Sequence, residues 1–73
     1  MHPQSTPTLG DELCKEMKRV RDTLIPLYTE IGPAGAFALM CMRHDLDKAA
    51  RAMAEGDVVE MMRCYDSLKS YSA

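Results

Sequence analysis

An all-α fold is the class this sequence predicts, and three observations carry it. Apolar residues recur at steps of three and four along most of the 73 residues. Two glycine-bearing breaks divide that pattern, and capping residues stand where the first and last segments begin. The expected architecture is a small three-helix bundle or a helical hairpin, with a kinked first helix and a flexible N-terminal arm, and oligomeric. The arm covers residues 1–7 and a single helical domain covers 8–73, with helices at about 8–30, 33–55 and 58–71.

The arm carries two prolines among polar residues and shows no apolar period. From Thr8 onward, Leu9, Leu13, Met17, Val20, Leu24, Tyr28 and Ile31 form one helical stripe, and Thr8 with Asp11 three residues on has the form of a capping box. Pro26 lies inside this stripe. It removes a backbone donor and crowds the carbonyl of Asp22, so a kink or interruption is expected near Leu24. Gly32 can end a helix in a positive-φ conformation, and Pro33 cannot continue the old helix but suits the first turn of the next. The second helix is apolar nearly all round over residues 34–42 and charged over residues 43–51, with Leu39, Met42, Leu46, Ala49 and Met53 as its inward stripe. Gly56 suits its end. Asp57 caps the third helix with Glu60 returning the bond, and Val58, Met61, Met62, Tyr65 and Leu68 point inward.

A 73-residue chain buries only about 60% of the surface it exposes when unfolded, so its monomeric core is marginal. Three cysteines cannot all pair within the chain, and no signal-peptide pattern appears, which suits reduced thiols in a cytoplasm. The weakly polar stretch over residues 31–42 falls short of the roughly 20 residues a membrane helix needs, so no membrane partner is expected. A net charge of -2 lacks the basic excess that nucleic-acid backbones reward.

Cys14, Cys41, Cys64 and His44 are zinc-type ligands, but they lack a Cys-x-x-Cys knuckle, and isolated helical cysteines are commonly small buried hydrophobes. No cysteine stands at a helix start that would lower its pKa, so catalysis by a thiol is not expected. A helix-turn-helix reading fails because the third helix offers only Arg63 and Lys69 against Glu60 and Asp66. The glycines lack the phosphate-loop spacing. The run of Arg43, His44, Asp45, Asp47, Lys48 and Arg51 reads as a solvated face with pairs four apart. Lys15, Lys18 and Arg19 form a basic flank that is a candidate anion contact, although Asp11, Glu12, Glu16 and Asp22 are interleaved with it.

Seven methionines and an apolar segment around the second helix offer more hydrophobic surface than one small bundle can hide. Phe37, Met40, Cys41, Met61 and Met62 are therefore the candidate partner-binding or oligomer contacts. The phrases Leu24-Ile25-Pro26-Leu27-Tyr28, Ile31-Gly32-Pro33-Ala34-Gly35 and Glu55-Gly56-Asp57-Val58-Val59-Glu60-Met61 resemble short helical accessory proteins of temperate, Mu-like phages and related mobile elements. That resemblance covers about the last fifty residues. It implies a protein that binds and inhibits or modulates a host or defence component in the host cytoplasm, or alternatively one that sequesters an anionic nucleotide signal. It carries over no catalytic, metal or cofactor residue. The expectation from the whole is a non-enzymatic helical interaction protein, homodimeric, without cofactor or metal.

Overall fold

The structure is a computed structural model and describes residues 7–72. The arm expected at residues 1–7 falls outside these residues except for Pro7, which is exposed. Every described residue from Leu9 to Ser70 is helical apart from Gly56 and Asp57, so the chain is all-α. Helix α1 spans Leu9–Arg19 and begins with the expected capping box: Asp11 N–H donates to Thr8 Oγ1 at 3.1 Å, and Thr8 N–H donates to Asp11 Oδ2 at 3.2 Å.

Pro26 leaves its mark one turn upstream. Residues Val20–Leu24 form a π-helical turn in which Ile25 N–H reaches back five residues to the carbonyl of Val20. This wider turn places Pro26 in the first turn of α2 (Ile25–Ile31), where its missing donor costs nothing. The helix is locally remodelled and not broken.

At Gly32 the backbone takes φ 82° and ψ -144°, a combination that belongs almost entirely to glycine. A 3₁₀ turn over Gly32–Gly35 follows and feeds α3, Ala36–Glu55. Because that turn is itself helical, the three separately ended helices expected from the sequence are not what forms. Two uninterrupted helical runs do: one of 47 residues, Leu9–Glu55, and α4, Val58–Ser70. A straight run of 47 residues would span about 70 Å at 1.5 Å per residue, yet the longest dimension of the molecule is 48 Å. The run is folded back at Gly32. Cys14 Sγ accordingly meets Met53 Sδ at 3.8 Å, which sets α1 and α2 antiparallel to α3.

The second reversal is a Schellman turn. Gly56 sits at φ 68° and ψ 28°, its N–H donates to Met53 O at 3.3 Å, and Asp57 N–H donates to Ala52 O at 2.9 Å. Asp57 Oδ1 then accepts from Glu60 N–H at 3.1 Å. The return bond expected from Glu60 is not made, because its carboxylate pairs instead with Lys48 at 3.2 Å and Arg63 at 3.6 Å.

α4 runs parallel to α1 and antiparallel to α3, and the core lies between them. Its buried members are Leu13, Val20, Leu24, Met42, Ala49, Ala52, Cys64 and Leu68, with Met17, Tyr28, Leu46, Met53, Met61 and Tyr65 packed around them. Three residues expected inside are exposed instead, and the ends of the helices explain two of them. Position Gly10 lies level with Met61, so α1 starts too late to cover Val58. Tyr28 lies level with Ser72, so Ile31 projects beyond the end of α4. Met62 is one position, and so about 100° of helix, away from Met61, and it faces outward.

Candidate functional site

The expected contact set Phe37, Met40, Cys41, Met61 and Met62 is divided by the fold. Phe37 precedes Gly56 by nineteen residues, roughly 28 Å of helix, whereas Met62 follows it by six, roughly 9 Å. Two apolar faces thus lie toward opposite ends of the molecule. Met61 belongs to neither, since it packs against the core.

The first face flanks the fold-back. Leu27 and Ile31 of α2 and Phe37 and Met40 of α3 are exposed there, Phe37 at 73% and Met40 at 61%. Between Asp22 and Arg43 the only charged residue is Glu30. The Leu9–Glu55 run in fact holds an 18-residue window of mean hydropathy 1.3, long and apolar enough by composition to cross a membrane, which the count over residues 31–42 alone missed. Only 11% of that window is buried. Folded back at Gly32, it offers its side chains as a surface.

The cause of this exposure is the length of α4. Asp45 accepts from the Tyr71 hydroxyl at 2.6 Å just past the last turn of α4, and Phe37, Cys41 and Asp45 follow one another at steps of four on one row of α3. The helix α4 ends near Asp45, so the first turns of α3, residues 36–41 ahead of the buried Met42, extend about 9 Å past it as an overhang. Where the overhang begins, Met40, Cys41, His44, Asp45 and Tyr71 line an open cleft of about 400 Å³.

Polar contacts fix the wall of this cleft. Arg19 Nη2 donates to Leu68 O at 3.0 Å and Tyr71 O at 2.9 Å, closing the end of α4, and Tyr28 Oη donates to Ser72 O at 2.6 Å. Arg19 Nε donates to Glu16 at 2.9 Å. A residue expected to meet an anion is thus a strap for the chain's own C-terminal turn, and its signal is tertiary: nothing local in the sequence marks it. Lys15 and Lys18 remain exposed, Lys15 with only a 3.8 Å contact to Glu12, and they are not joined by Arg19 as a site. Burial and the bond to Asp45 push the Tyr71 phenol well above its ordinary range. The neutral phenol is therefore favoured in the folded chain; its contribution is complete below the ordinary tyrosine pKa near 10 and is lost as pH rises beyond it. Tyr71→Phe is expected to lower stability by about 1 kcal/mol at neutral pH. It should also flatten the fall in melting temperature between about pH 10 and 11.5 relative to the parent chain. Parallel curves for the two proteins would contradict this.

The second face is on the first half of α4, where Val58, Val59 and Met62 are exposed at spacings of three and four. Glu55, Asp57, Asp66 and the exposed Arg63 border it, and sequence periodicity alone does not find it because Val58 and Met62 also fit an inward stripe. The thiols do not gather: Cys14 is exposed beside Met53, Cys41 lines the cleft, and Cys64 is buried. Burial first, then the nearby Glu60 carboxylate, raises the Cys64 pKa and keeps it a neutral thiol. Among the described residues no group of three or more His, Cys, Asp or Glu is placed to hold a metal ion. Comparison with protein-family models, with curated proteins and with solved structures finds no match to this chain.

Proposed function

We propose that this chain is a non-enzymatic interaction protein that binds another protein, a host or defence component, and modulates it. The observation that carries the reading is the distribution of apolar side chains. Among the described residues seven large hydrophobic side chains stand exposed while five are fully buried, and the exposed ones collect on two faces. Leaving a large apolar side chain in water forgoes about 1.5–3 kcal/mol, so a second surface is the economical place for it.

The α4 face suits a foreign partner. Its border of Glu55, Asp57 and Asp66 with Arg63 complements a partner that is apolar at the centre and predominantly basic at the rim. Val59→Glu with Met62→Glu, both at exposed positions, is expected to leave the helical signal intact and to abolish capture of a specific protein from the native host, which the parent chain retains. Equal recovery of that protein by both would exclude this face.

A further inference from the structure

We infer that the overhang around Phe37 is occupied by a second copy of this chain, paired about a twofold axis near Met40 and Cys41. This rests on the interaction-protein reading for its context and assigns the face that the foreign partner does not take.

The first support is shape. Residues 36–41 of α3, ahead of the buried Met42, extend past the end of α4, and a second copy has the same uncovered stretch. Two overhangs laid antiparallel therefore fill one another's missing layer, as an isologous contact requires. In that register the sum of paired positions is constant. Phe37 of each chain comes opposite His44 of the other when the axis passes between Met40 and Cys41. His44 is one wall of the cleft formed by Met40, Cys41, His44, Asp45 and Tyr71. The most exposed apolar side chain thus arrives at the concave site that the end of α4 creates.

Charge is the second support. Residues 36–42 carry no charged side chain, and in this register Arg43 comes opposite Ala38 of the other copy, so the contact sets no like charges directly opposite each other. A third support is the small interior: of the eight buried hydrophobic residues among those described, Ala49, Ala52 and Cys64 are small, and chains of this size commonly gain stability from a partner subunit.

Light scattering after size exclusion, with circular dichroism on the same samples, tests the pairing on the full chain. The parent chain should elute as a dimer at micromolar concentration. Phe37→Glu should raise the dimer Kd roughly 100-fold or more, since the change is made twice per dimer, while keeping its helical signal. Met40→Lys, also exposed, should act in the same direction, and Met62→Glu should leave the dimer intact. Dimers in Phe37→Glu at the parent's affinity would overturn the proposal. So would unfolding of that variant, which would make Phe37 core, or loss of the dimer in Met62→Glu. A monomeric parent whose host partner is lost on Phe37→Glu would assign the overhang to that partner instead, and would overturn the second copy while the interaction-protein reading stood.

Discussion

Gly35→Ala is expected to lower the melting temperature by roughly 5 to 20 °C, through a cost of about 1–3 kcal/mol for overpacking. Gly35 is buried where the 3₁₀ turn presses against α2, and a Cβ placed there would lie 2.5 Å from the backbone carbonyl oxygen of Tyr28. That oxygen belongs to a helix and cannot rotate away as a side-chain tip would. Relief requires α2 and α3 to separate, which disturbs the fold-back from which the exposed face projects. Gly10→Ala is the matched control. Its Cβ would meet only Thr8 Oγ1 at 3.7 Å and Met61 Cε at 3.9 Å, which are ordinary contacts in a helix where alanine is preferred. It should hold or slightly raise the melting temperature. Thermal unfolding of both variants by circular dichroism decides the matter, and equal melting temperatures would contradict the close approach at Gly35.

Leu68→Ala is expected to cost about 2–5 kcal/mol, a large part of the total stability of a chain this size. Leu68 is fully buried where α4 packs on α1 and α3, and its carbonyl receives Arg19, so removal of the side chain leaves a cavity at the strapped end of α4. Phe37→Ala, by contrast, removes a larger side chain from a surface and should change the stability of the isolated chain by no more than about 0.5 kcal/mol. Urea unfolding at a concentration low enough to hold both as monomers compares them directly. A costly Phe37→Ala with a mild Leu68→Ala would invert the assignment of core and surface.

These expectations mark where the sequence was informative. Helix ends were legible because their chemistry is local: Thr8 with Asp11 makes its box, and Gly56 takes its positive φ, without help from distant residues. The disturbance ahead of Pro26 was legible as a break but not as a π turn, since a missing donor can be met in more than one way. The fold-back kept helical character through Gly32–Gly35, so what read as a break between two helices became a turn within one run. Arg19 and Tyr71 were misplaced or overlooked for a different reason. Each acts across more than twenty residues of chain, on α4's last carbonyls and on Asp45, and no period or motif records such a partner.

The candidate contacts divided along the same line. Phe37 and Met40 were singled out because an apolar surplus on one helix is visible in composition, and the structure leaves both exposed. Met61 was drawn in by neighbourhood alone and packs inward, while Val58 was read as inward because its exposure depends on where α1 begins. Helix lengths relative to one another decide which stripe is covered. That is a tertiary property, and it also produces the overhang.

The claim that the overhang is an interface is tested most directly by sedimentation equilibrium of the unmodified full chain across the micromolar range. The predicted result is a mass that rises with concentration from that of one 8.2 kDa chain toward twice that value. A single species of 8.2 kDa at every concentration would contradict it.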